Sequence, residues 1–230
     1  MAKDSGTPGR NCPLCPRLRQ FRDEWRQREP GWFNAPVASF GDAAASLLIV
    51  GLAPGLRGAN RTGRPFTGDF AGDLLYATLK QFGFAAGDYQ ARPDDGLVLI
   101  DARITNAVRC APPENKPTPE EIRTCRRFLE ATIAEMHNLQ AIVTLGQIAH
   151  VSTIAALNHR RSLAPFGHGL VHDLGAVRVF SSYHCSRYNT STGVLTADMF
   201  CGVFMQVRAY LDARNQASTS SALLSGGKTG

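Results

Sequence analysis

The chain has no apolar run approaching the roughly 20 residues that a membrane-spanning helix requires, which excludes a helical membrane protein. Its six cysteines among 230 residues are too few for a disulfide scaffold. The opening MAKDSGTPGRNC is polar where a secretory signal carries an apolar stretch, so a reducing, cytoplasmic setting is expected. The richest glycine segment, 51–69, lacks both the G-K-S/T ending of a Walker A loop and the G-x-G-x-x-G spacing of a dinucleotide site. No internal repeat and no second apolar core divides the chain, so one domain is expected.

What the chain does have is enough apolar residue, 43%, to bury a core. It also has a basic balance, 25 Lys and Arg against 19 Asp and Glu, for a net charge of +6. That balance favours a polyanionic partner or an anionic lipid surface.

Residues 1–10 and Gln216–Gly230 lack hydrophobic periodicity and are expected to be mobile tails around a single domain at 11–215. Leu14, Leu18, Phe21 and Trp25 recur at helical spacing directly after Cys12 and Cys15. Apolar runs predict strands at Ser46–Gly51, Gly96–Thr105, Leu139–Leu145 and Ala176–Ser182. Helical patterns cover Gly72–Phe82, Thr118–Asn138, Gln147–Asn158 and Leu195–Asn215. Thr118-Pro119-Glu120-Glu121 spells a capping box with proline at the first helical position. The alternation implies an α/β domain with a central, mostly parallel four-stranded sheet flanked by helices. Segments that follow parallel strands emerge at one edge, so the loops at Gly51–Asp69, Asn106–Pro113, Gly146 and Tyr183–Thr192 should meet there.

The first loop, GLAPGLRGANRTGRPFTGD, permits positive φ and close backbone approach to a ligand, and Arg57, Arg61 and Arg64 could meet phosphate. A purely structural glycine loop is the plain alternative. Phe66 within it either packs in a local core or stacks on a flat base. Asp69, just before a helix, is a cap or a catalytic carboxylate. Asn106, at a strand end, is a turn residue or an amide suited to a pyrimidine edge. His184, just past a strand, is a structural histidine or a neutral donor to a developing anion. Cys185 lacks the surroundings of a nucleophile.

Cys12 and Cys15 form C-x-x-C, and Cys110 and Cys125 form a wider pair around a proline-rich turn. Four such thiolates hold zinc or a [4Fe-4S] cluster, and spacing does not separate the two. Cys185 and Cys201 are read as small hydrophobes.

Taken together, GLAPGLRGANRTGRPFTGD, ITNAVRCAPP and HCSRYNTSTGVLT resemble the three motif regions of the uracil-DNA glycosylase superfamily. The four cysteines narrow the resemblance to its iron–sulfur branches, with zinc the less favoured occupant, and GANRTGRPFTGD is similar to the fifth, or type b, family. The resemblance covers roughly Cys12–Asn215. It implies an enzyme that flips a deaminated base, uracil and also hypoxanthine or xanthine, out of DNA and hydrolyses its N-glycosidic bond, leaving an abasic site.

By that resemblance Phe66 stacks on the base, Asn106 reads its edge, and Gly51 and Ala53 contribute to base binding. His184 donates to the leaving base, and Asp69 orients water or stabilises the sugar cation. By position, DNA contacts fall to Asn60, Arg61, Arg64, Arg187, Tyr188 and Asn189, with Arg187 or Tyr188 either filling the gap left by the base or simply exposed on the loop. Leu52 stands where many superfamily members carry a polar residue that handles water, a departure that type b enzymes share. A monomer acting on nucleoid DNA is the expected form. The competing class is a metal-braced module that binds nucleic acid without cutting it.

Overall fold

Segments reading LLIVG and AIVTL are buried at every position, the pattern of parallel strands covered on both faces. The computed structural model describes residues 7–225. In chain order its elements are α1 (Pro16–Arg28), β1 (Leu47–Gly51), α2 (Ala59–Thr62), α3 (Phe70–Gln81), β2 (Ala85–Ala86), β3 (Val98–Leu99), β4 (Ala102–Asn106), α4 (Pro119–Glu135), β5 (Ala141–Leu145), α5 (Gln147–Ala156), β6 (Val171–Asp173), β7 (Arg178–Ser182), α6 (Arg187–Ser191) and α7 (Ala197–Ser225). Among the described residues no helix is long and apolar enough to cross a membrane.

The main sheet has five strands in the order β4-β1-β5-β7-β6. The first four run parallel and β6 is an antiparallel edge. Strand pleating sends Leu47 and Ile49 into one core with α3 and α7, and Leu48 and Val50 into the other with α4 and α5. The α4 start is as the sequence indicates: Thr118 Oγ1 accepts the Glu121 N–H while the Glu121 carboxylate accepts the Thr118 N–H.

Several boundaries differ from expectation. The run Gly96–Thr105 is broken at Asp101, whose φ is +49° and whose carboxylate accepts the Ser46 N–H at 2.7 Å. Val98–Leu99 pairs instead with β2, and only Ala102–Asn106 joins the sheet. The short β6, half exposed and polar, adds a fifth strand that carries no hydrophobic signature. At the C-terminus α7 continues to Ser225, beyond the tail boundary expected at Gln216. At the N-terminus the Arg10 carbonyl accepts from Arg26 and the Gly9 carbonyl from the Cys12 N–H. The remainder of the two expected tails, 1–6 and 226–230, lies outside the described residues.

Candidate active site

Gly51 and Asn106 are direct partners in the β1–β4 register, so both loops leave the sheet at the same level. β7 ends at Ser182 on the same edge, two residues before His184. A cavity of about 620 Å³ opens there, lined by Ala53, Phe66, Asp69, Asn106, His184 and Arg187 among others. That volume falls in the ordinary range for small-molecule sites. Three loops far apart in sequence thus deliver Phe66, Asp69, Asn106 and His184 to one space.

Phe66 adopts φ +53°, a left-handed conformation unusual for a bulky residue. Its ring lies across Gly51, where a Cβ would come within 2.5 Å of both Phe66 Cζ and Asn106 Oδ1. Gly51 is not among the residues lining the cavity; its missing side chain makes room for the two that do. Asn106 is 3% exposed.

Asp69 has two roles in one side chain. Oδ1 accepts the Gly72 N–H at 3.0 Å and caps α3. Oδ2 lies against Gly55 and Gly58, where a Cβ would stand 3.0 and 2.6 Å away. Burial raises its pKa above the ordinary carboxylate value. His184 moves the other way: burial lowers the imidazole to about 4, so the ring is neutral near pH 7. Its backbone carbonyl is held by the Asn189 side chain at 2.8 Å. Gly146, at φ +93°, leaves the space beside its Cβ. Cys185 is fully buried with its thiol toward the Ala71 carbonyl, in keeping with a packing role.

Arg187 and Tyr188 are exposed, Tyr188 by 74%, and the Arg187 guanidinium sits 5.4 Å from the Phe70 ring centre at the cavity mouth. Arg61 is exposed. Arg64 and Asn60 correct the expectation that their side chains face DNA. Arg64 is buried against Asp95, with two N–H···O contacts of 2.8 Å, and Asn60 is buried with its amide donating to Asn34. Asn189 spends its amide on the His184 carbonyl and braces the loop rather than reaching outward. Sequence reasoning missed Phe70 and Asn115 as cavity-lining residues. Phe70 opens α3, two residues before the start expected from the sequence, and is 37% exposed.

Cys12, Cys15, Cys110 and Cys125 meet in one patch with Leu18, Val108 and Phe128, and all four line a small shared cavity. Burial raises the thiols of Cys15, to about 11, of Cys110, to about 12, and of Cys125, and neighbouring cysteines add to each rise. The Arg109 N–H donates to Cys125 Sγ at 3.3 Å, and Arg22 Nη1 to Cys110 Sγ at 3.9 Å. Among the described residues no group of three or more His, Cys, Asp or Glu is arranged to hold a single metal ion. The donor chemistry, four sulfurs with N–H donors to two of them, fits an iron–sulfur cluster. Arg109, not singled out in the sequence, is fully buried and donates to Ser39, Phe128 and Thr132, tying α4 to the segment that follows Asn106.

The family model described as the uracil DNA glycosylase superfamily matches residues 38–208. The chain is 46% identical over 204 residues to a type-5 uracil-DNA glycosylase of Thermus thermophilus, covering 86% of this chain and 92% of that one. It is 38% identical over 203 residues to a type-5 enzyme of Pyrobaculum aerophilum, covering 86% and 88%. A type-5 enzyme of Mycobacterium bovis is 42% identical over 208 residues, covering 86% and 77%.

Proposed function

This chain belongs to the uracil-DNA glycosylase superfamily, and on that premise we propose that it removes uracil from DNA by hydrolysing the N-glycosidic bond and leaving an abasic site. The observation that carries the residue-level reading is the convergence of Phe66, Asn106, His184 and Asp69 on one cavity. The nucleotide is extruded from the duplex, because the bond is inaccessible within the stack. Phe66 takes the face of the base and Asn106 its polar edge.

As the bond from base nitrogen to C1′ breaks, the electron pair stays with the base, and neutral His184 donates a hydrogen bond to the oxygen on which negative charge grows. Leu52, apolar and at the cavity wall, activates no water, so bond breaking runs ahead of water addition, through a dissociative transition state. Asp69 stabilises the sugar cation and accepts the proton of the water that adds to C1′. The cavity is also proposed to admit hypoxanthine and xanthine. Arg61, Arg187 and Tyr188 contact the DNA, and the enzyme works as a cytoplasmic monomer.

Cys12, Cys15, Cys110 and Cys125 would hold a [4Fe-4S] cluster. Hydrolysis transfers no electrons, so the cluster when bound supplies a brace between the N-terminal helix and the loop after β4. A module that binds nucleic acid without cutting accounts for the charge and the cysteines but leaves the cavity residues without a task. Incubation with oligonucleotides carrying uracil, hypoxanthine or xanthine, followed by alkali to reveal abasic sites, separates the readings. Cleavage at uracil is expected; binding without cleavage of any of the three favours the module.

A further inference from the structure

Phe66 sits at φ +53°, a backbone state that a phenylalanine keeps only when its surroundings over-determine it. Those surroundings are specific. Tyr76 Oη donates to the Pro65 carbonyl at 2.7 Å, and Tyr89 Oη to the Phe66 carbonyl at 3.3 Å. Gly72 leaves space for that carbonyl, since a Cβ there would lie 1.8 Å from it. Arg64 Nε donates to Thr67 Oγ1 at 2.8 Å, and its two remaining nitrogens each meet a different Asp95 oxygen at 2.8 Å. Asp95 is itself anchored by the N–H groups of Gln90 and Leu97. The guanidinium lies 5.2, 5.5 and 5.9 Å from the ring centres of Phe40, Tyr76 and Tyr89.

We propose that Arg64 and Asp95 are positioning residues for Phe66: fixed by Asp95, the Arg64 guanidinium ties to Thr67 across the turn that carries Phe66 and so holds the stacking ring at the cavity. This rests on the glycosylase reading above. A buried ion pair seldom adds net stability over apolar residues of the same volume, whereas its bidentate geometry selects one conformation. Lysine keeps the charge but loses the fork, so it cannot hold Thr67 and both Asp95 oxygens together.

The test compares Arg64→Lys, Thr67→Val and Phe66→Leu, with Phe66→Leu/Arg64→Lys as the double variant, in single-turnover excision of uracil from duplex DNA. Folding is checked by circular dichroism, and affinity for undamaged DNA is measured alongside. Arg64→Lys and Thr67→Val are expected to lower the excision rate about 10-fold or more, with affinity for undamaged DNA unchanged within about twofold. The double variant should be no slower than Phe66→Leu within about twofold, because the clamp acts through that ring.

Wild-type excision rates in folded Arg64→Lys and Thr67→Val, with Phe66→Leu slow, overturn the clamp alone. Multiplying losses in the double variant overturn it too, as does weaker binding to undamaged DNA in Arg64→Lys. Full activity of Phe66→Leu overturns the stacking reading and the clamp with it. No excision by the wild-type chain overturns the function itself.

Discussion

The rings of Phe66 and His184 lie 6.2 Å apart between centroids, with their planes inclined by 27°. Two stacking gaps at the optimal carbon separation of about 3.5–4 Å would need about 7–8 Å, so a base is not sandwiched between them. The rings divide the work: Phe66 offers a face, and His184 reaches an edge, where a neutral donor is most useful against developing charge.

His184→Ala should lower single-turnover excision of uracil by about 10²–10³-fold, the usual loss for one well-placed donor. Because burial holds the imidazole at about 4, the rate should show no histidine titration between about pH 6 and 8. Stability follows the same shift. The unfolded ring takes up a proton near 6.5 that the folded ring resists, so the fold weakens as pH falls from about 6.5 towards about 4. Thermal melts across that window, compared with His184→Ala, check the sign.

Asp69→Asn separates chemistry from capping, since asparagine and aspartate are equal caps. The variant should melt within about 1 kcal/mol of wild type yet excise slowly. The acidic limb of the wild-type pH–rate profile should lie above the ordinary carboxylate value of 3.8, because burial raises this group, and should vanish in Asp69→Asn. An unchanged profile would remove Asp69 from the chemistry.

Gly58→Ala places a methyl 2.6 Å from Asp69 Oδ2, and Gly51→Ala places one 2.5 Å from Asn106 Oδ1 and the Phe66 ring. Both should cut excision sharply without touching DNA affinity. Equal rates in folded protein would mean that these side chains move aside at no cost to the reaction.

Binding to undamaged DNA should weaken steeply with salt, and Arg61→Ala and Arg187→Ala should each reduce the log–log slope by about one. Titrations over a range of salt concentrations read this directly; an unchanged slope assigns the contact elsewhere.

Anaerobic reconstitution with iron and sulfide should give sulfur-to-iron charge-transfer absorbance that Cys110→Ser or Cys125→Ser abolishes, together with a lower melting temperature. Stoichiometric zinc instead of iron would reassign the four cysteines.

Much of this protein was legible in its residues. Buried parallel strands read as unbroken apolar runs, and a capping box is complete within Thr118–Glu121, so local patterns determined the α/β layers, the α4 start and the order of the three motif loops. The sharing of one edge by Phe66, Asp69, Asn106 and His184 followed from parallel connection alone.

The direction in which polar side chains turn came from the assembled fold. Arg64 and Arg61 stand in the same basic glycine loop, yet one is locked onto Asp95, 31 residues away, and the other faces outward. Asn60 and Arg109 are likewise buried against partners distant in sequence, Asn34 for the first and Ser39 and Thr132 for the second, 26, 70 and 23 residues away. Backbone pattern is set by neighbours in the chain, but the partner that lets a buried polar group satisfy its hydrogen bonds comes from wherever the fold brings one.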